Sequence, residues 1–145
     1  MVVDSNIVVY SLLKKQPNPF FSLLDSWIRD SVEIVVPSLL RFEVASVIWT
    51  NEKNGAIPSG GSETILKFLN QFPIRYSDAA ADQIRAIEFA RQFSLGKADD
   101  THFLAVAERL DAHFWTADKR LFNAVSHHLD WVHLVSGDTE GDETA

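Results

Sequence analysis

The sequence predicts an α/β fold in which a mainly parallel sheet is covered by helices on both sides. Two observations carry that prediction. Short apolar runs alternate along the chain with helix-length amphipathic segments, and helical hairpins are inserted between some of the runs. The length of 145 residues, with 46% hydrophobic and 23% charged, is that of one ordinary globular domain.

Residues 2–4 read as a strand and 6–14 as a helix. Residues 18–30 form a second helix, because Phe20, Leu23, Leu24, Trp27 and Ile28 recur at helical spacing. The β-branched run 33–36 stops at Pro37 and reads as a strand. Ser38 is placed to cap a helix running to Asn54, and Gly55 is a natural stop. Residues 57–62, with Pro58, Gly60 and Gly61, read as a loop or a short linker between helical layers. Helices follow over 62–72 and 78–93, with a short strand at 74–76 between them. The chain then continues as a helix over 98–111, a strand over 113–116, a short helix over 117–125 and a last strand over 131–135.

The net charge is −7, and Asp138, Glu140, Asp142 and Glu143 lie within the last ten residues. That tail lacks basic residues and apolar period, so residues 136–145 read as a disordered acidic tail after a single domain over 1–135. Without the tail the balance is −3, which argues against a protein that grips phosphates by charge alone. A bound divalent cation would reverse the local sign. There is no cysteine, hence no disulfide framework and no thiolate metal site. No apolar stretch approaches the ~20 residues that span a bilayer. The opening Met-Val-Val-Asp also lacks the marks of a signal peptide, so a soluble cytoplasmic protein is expected.

Four acids stand where acids are least expected. Asp4 closes the run Val2-Val3, and Asp118 follows Phe114-Trp115-Thr116. Glu43 interrupts Leu39-Leu40 and Val44-Ala45, while Asp100 opens a helix that turns apolar at Phe103-Leu104. A buried carboxylate is costly unless paired, neutralised or bound to metal. Asp4 and Asp118 could each be a helix N-cap, although Ser5 and Asn6 could do that work and leave Asp4 free. Asp99 and Asp100 both lie in a first helical turn, where the dipole favours acids, and periodicity does not choose between them. The joint occurrence decides the reading. Ligands in such sheets bind beyond the carboxyl ends of strands near a switch in strand order, and Asp4 and Asp118 belong to that edge. Hard oxygen ligands suit Mg²⁺ or Mn²⁺, and a metal held this way assists hydrolysis of a phosphodiester.

In these residues the chain resembles the PIN domain, and within it the small ribonuclease toxins of VapC-type toxin–antitoxin pairs. Val2-Val3-Asp4-Ser5-Asn6 is similar to the first strand of that family with its acid, and residues 37–44 to the helix carrying the second. Asp100, followed by Ala105 and Ala107, resembles the third motif and selects Asp100 over Asp99. Thr116-Ala117-Asp118 matches the fourth, a Thr-x-Asp at a strand end. Lys97 and Asp99 depart from the pattern, and Asp99 would either add to the metal site or cap the helix.

The resemblance implies a three-layer α/β/α fold and Mg²⁺- or Mn²⁺-dependent cleavage of RNA. It implies an acidic pocket of Asp4, Glu43, Asp100 and Asp118, with Asn6 and Thr116 as orienting groups. Asp4 and Asp100 would then hold metal directly, while Glu43 and Asp118 would act through water or a second ion. A homodimer and a cognate antitoxin, whose Arg could reach the acids, are implied as well. Two alternatives differ in class: a non-catalytic PIN-like scaffold, and a phosphoacceptor or phosphatase-type domain, for which no suitable strand lysine is found. His127, His128 and His133 read as surface or packing residues, and Trp27 and Trp49 as packing groups. Arg41, Lys97, Lys119 and Arg120 lie beside the acid motifs, as RNA contacts or as ordinary surface charges.

Overall fold

The computed structural model describes residues 1–137, and the acidic tail expected over 136–145 lies outside the described residues from 138 onward. The described residues form, in chain order, β1 (Val2–Val3), α1 (Ser5–Leu13), α2 (Pro19–Arg29), β2 (Ile34–Val36), α3 (Leu39–Lys53) and α4 (Gly61–Leu69). They continue as β3 (Ile74–Tyr76), α5 (Ala80–Gln92), α6 (Asp99–Arg109), β4 (Phe114–Thr116), α7 (Lys119–Val125) and β5 (Val132–Leu134). Every element expected from the sequence is present, with ends that differ by at most three residues.

The strands are parallel. Val2 and Val3 pair with Phe114 and Trp115, Phe114 with Val132, and Ile34 with Ile74. The Val35 N–H donates to the Met1 carbonyl, and the Met1 amino group donates to the Glu33 carbonyl. This brackets Ile34 as one rung of a parallel ladder does. The spatial order is therefore β3-β2-β1-β4-β5. The chain winds outward from β1 to β3, crosses back to β4 and winds outward to β5. Right-handed crossovers place connections of opposite direction on opposite faces. Accordingly α1 packs against α2 and α3, and α3 against α4, while α5 packs on α6. The result is a three-layer α/β/α fold, and the strand order switches between β1 and β4.

Both central strands are sealed. Val2, Val3 and Phe114 are inaccessible to solvent, with Ile7 and Val8 of α1 and Phe103, Leu104 and Val106 of α6 packed into the same core. Each such side chain contributes roughly 1.5–3 kcal/mol through burial. The α1–α2 hairpin is latched by Asn18. Its side-chain oxygen accepts from the Phe20 and Phe21 N–H groups, and its amide donates to the carbonyls of Tyr10, Ser11 and Lys14. One buried residue thus caps the start of α2 and the end of α1.

Two expectations are corrected here. Ser38 does not cap α3: its backbone is helical, and its N–H and hydroxyl both go to the Asp78 carboxylate in the loop after β3. Trp27 is buried, as expected of a packing group, but Trp49 is 56% exposed. It belongs to a part of α3 that, with Phe42 and Val47, has no covering layer.

Candidate active site

Asp4 directly follows β1, and its backbone N–H still bonds the Trp115 carbonyl, so the last rung of the β1–β4 ladder aims it at the switch point. The side chain is 8% exposed. Oδ1 accepts from the Ile7 N–H at 3.0 Å, while Oδ2 accepts from the Thr116 hydroxyl and from the Ala117 N–H at 3.3 Å. Asp4 is therefore itself the N-cap of α1, not a residue left free by Ser5 or Asn6. An ionised carboxylate offers about four acceptor positions. Three are used, which leaves about one. Burial pushes the Asp4 carboxyl up to about 6; the hydrogen bonds from Thr116, Ile7 and Ala117 oppose this, and the charge of Asp100 adds to it.

Thr116 ends β4 without solvent exposure. Its hydroxyl donates to Asp4 and accepts from the Asp118 N–H at 3.0 Å, joining two of the expected acids through one side chain. Asp118 in turn caps α7, Oδ1 accepting from the Arg120 and Leu121 N–H groups. Asn6, by contrast, lies exposed on the first turn of α1, and its side chain makes no hydrogen bond with the described residues.

Glu43 reaches the same place from α3. Its Oε1 is buried without a hydrogen-bond partner. Burial pushes this carboxyl up to about 7, the charges of Asp99, Asp100 and Asp4 push the same way, and a hydrogen bond from Ser5 opposes them. The sequence offered Ser5 only as an alternative cap; its position next to Asp4 was the available signal for a place in the site. Asp100, at the start of α6, is exposed. Partial burial raises its carboxyl, Asp99 and Asp118 raise it further, and Lys97 counteracts them. Asp99 thus belongs to the same field, acting on both Glu43 and Asp100.

Five carboxylates therefore converge, and three of them are held above their ordinary range by burial and by one another. Asp82 is more deeply buried, at 2% exposure, yet Arg109 binds it with two parallel bonds of 2.8 and 3.0 Å. No such ion pair is made by Asp4, Glu43 or Asp100 among the described residues. The described residues contain no group of three His, Asp or Glu side chains that could hold a metal ion as they stand. A magnesium ion typically takes one or two carboxylates directly and retains several waters, a demand this arrangement can meet. The orphaned Glu43 oxygen and the spare acceptor position on Asp4 are all-oxygen donors of the kind a hard cation selects.

The family model of the PIN domain matches residues 1–127. The chain belongs to the PIN domain family. Among solved structures, this PIN domain is similar to VapBC2 from Rickettsia felis bound to a DNA fragment from their promoter. The TM-score is 0.65 at 18% identity, covering 94% of this chain and 98% of that one. It is similar as well to PAE2754 from Pyrobaculum aerophilum, with TM-score 0.62 at 19% identity over 92% and 82% of the two chains. FitAcB from Neisseria gonorrhoeae gives TM-score 0.61 at 20% identity over 92% and 96%. At such identities the likeness is one of fold. No curated protein matches the sequence.

The remaining sequence candidates fall elsewhere. His133 does not stand alone: its Nε2 is 2.7 Å from Nδ1 of His113, and its ring packs on Trp115. His128 packs on Phe93. The Arg41 guanidinium lies 3.9 Å over the Tyr76 ring. Among the described residues no helix is long and apolar enough to cross a membrane.

Proposed function

We propose that this PIN domain is a divalent-metal-dependent endoribonuclease, acting as the toxin of a toxin–antitoxin pair. The observation that carries the reading is the convergence of Asp4, Glu43, Asp99, Asp100 and Asp118 at the switch point, with Glu43 Oε1 buried and unpartnered. Repulsion among these carboxylates is relieved by a shared proton or by a bound cation, and the unpartnered Glu43 oxygen favours the cation.

Asp4 and Asp100 are the residues that would hold Mg²⁺ or Mn²⁺, with Glu43 and Asp118 acting through water or a second ion. The ion, when bound, supplies an activated water and stabilises the charge that develops at phosphorus. The protein's part is positioning. Asp4 cannot swing, because the Ile7 and Ala117 N–H groups and the Thr116 hydroxyl fix both of its oxygens. Thr116 holds Asp118 in register with Asp4, so the two strand-end acids move as one unit. Glu43, raised to about 7, is poised to take or hold a proton on a water in the cleft at neutral pH. Asp99 adds negative charge at the rim, and Asn6 is exposed where substrate would pass.

A cognate antitoxin and a homodimer belong to the same reading. The fold likeness to VapBC2 and FitAcB and the resemblance to VapC-type chains support the first. The uncovered apolar side chains Phe42, Val47 and Trp49 on α3 support a partner surface. A cytoplasmic location fits RNA as substrate.

The test is cleavage of a mixed structured-RNA pool with Mg²⁺, Mn²⁺ or EDTA, alongside Asp100→Asn. Discrete metal-dependent cuts that disappear in the variant are expected. Cutting that persists in EDTA, or in the variant, would refute the assignment.

A further inference from the structure

Beside the acidic cluster lies an open groove of about 500 Å³, bounded by the loop after α5 and by α7. Asp100 and Asp118 share its lining with Lys97 and Arg120. The loop is set by a Schellman-type stop: Ser94 takes φ 53°, and the Leu95 N–H returns to the Ala90 carbonyl at 2.8 Å. That turn carries the chain from the end of α5 to Lys97 at the mouth of the groove.

Resting on the ribonuclease reading, we propose that Lys97 and Arg120 clamp the backbone phosphates of a single RNA strand lying in this groove, next to the bond that is cut. Three observations lead there. First, Lys97 and Arg120 make no ion pair and no side-chain hydrogen bond among the described residues, whereas Arg29, Arg75, Arg85 and Arg109 are each tied to a carboxylate. Second, both cations stand where Asp100 and Asp118 would otherwise repel a polyanion, so they offset the local field in a chain of net charge −7. Third, Phe93 and Leu95, both partly exposed, share the lining, apolar surface that suits an unstacked base. The larger groove of about 590 Å³ near Phe42 and His102 has no Lys or Arg in its lining, and so has nothing to grip phosphate.

The test uses the full chain carrying Glu43→Gln, which lies outside this groove and keeps the probe uncut. Binding of a fluorescent single-stranded RNA is followed by anisotropy across a salt series in Mg²⁺. Lys97→Gln and Arg120→Gln are each expected to weaken binding roughly 3- to 10-fold and to reduce the salt slope by about 0.7. Lys53→Gln, at the far end of α3, should change neither. Equal behaviour of the three variants would overturn the clamp, as would an absence of RNA binding by the Glu43→Gln parent. Cleavage by the unsubstituted protein is scored separately. Failure to cut with an intact Lys97 and Arg120 dependence would sink the nuclease reading and leave the clamp standing.

Discussion

The Thr116 hydroxyl donates to the Asp4 carboxylate across the junction of β1 and β4, although the two residues are 112 positions apart. The same oxygen accepts the Asp118 N–H, so one side chain fixes the relative placement of two acids. Replacing it with Val keeps the shape and removes both bonds. Thr116→Val should cost about 2 kcal/mol, the usual cost of losing a buried hydrogen bond to a charged group. It should also lower cleavage by more than the loss of fold explains. Thr116→Ser should restore most of both. Urea unfolding and cleavage rates on the three proteins decide this, and an unaffected Thr116→Val would remove Thr116 from the site.

Glu43 is expected to reduce stability at neutral pH. Its folded pKa lies near 7 against an ordinary 4.5, so between those values the folded chain keeps a proton that the unfolded chain has released. Stability from this group is present below that window and lost as pH rises through it. Glu43→Gln should therefore unfold later than the parent at pH 8, by about 1 kcal/mol after allowance for solvent screening of a partly buried group. The difference should fall to roughly a quarter of that near pH 5 and vanish only below the ordinary value of 4.5. Denaturant midpoints in EDTA at the two pH values measure it, and a gain that is equal or larger at pH 5 would contradict the assignment.

Asp4→Asn and Asp100→Asn should both abolish cleavage but differ in stability. Asn keeps one acceptor oxygen, while Asp4 uses both of its oxygens to receive N–H or O–H donors. An amide N–H₂ facing those donors should cost about 1–3 kcal/mol. Asp100 caps nothing, and its neutralisation relieves repulsion. Thermal melts should show a drop for the first variant and no loss for the second. Mg²⁺ should raise the melting temperature of the parent and have little effect on Asp100→Asn.

The Asp82–Arg109 pair clamps α5 to α6. Arg109→Met leaves a carboxylate at 2% exposure without its cation, and should cost about 3 kcal/mol. Adding Asp82→Asn should recover part of that loss, because the stranded charge is then gone. A double variant no more stable than Arg109→Met would show that the clamp acts through packing alone.

Much of the scaffold was legible because it is written locally. The run 33–36 before Pro37, the helical spacing of Phe20, Leu23, Leu24, Trp27 and Ile28, and the stop at Gly55, with φ 82°, each declare an element within a short segment. The strand-end positions of Asp4 and Asp118 were equally local, and so was their place at the carboxyl edge of the sheet. What could not be read were partners that the chain supplies from far away. Asp82 passed unnoticed although it is more deeply buried than any of the expected site acids, because Arg109 meets it only once α5 and α6 pack. Ser38 had the composition of a cap, but Asp78, 40 residues on, takes both of its donors. Trp49 sits at core spacing on α3, and only the layering shows that its side faces outward.

The sequence by itself determined the order of strands and helices, the family and the acids that end β1 and β4, since periodicity, turn residues and motif spacing are properties of short segments. Only the tertiary structure decided that Asp4 is held by Thr116, that Glu43 Oε1 has no partner, that Asp99 acts on the same field and that Lys97 and Arg120 line one groove. Those are facts of proximity and burial. They arise when parallel pairing and right-handed crossovers bring residues from opposite ends of the chain within a few ångströms, where Coulomb and hydrogen-bond energies become large enough to set a protonation state.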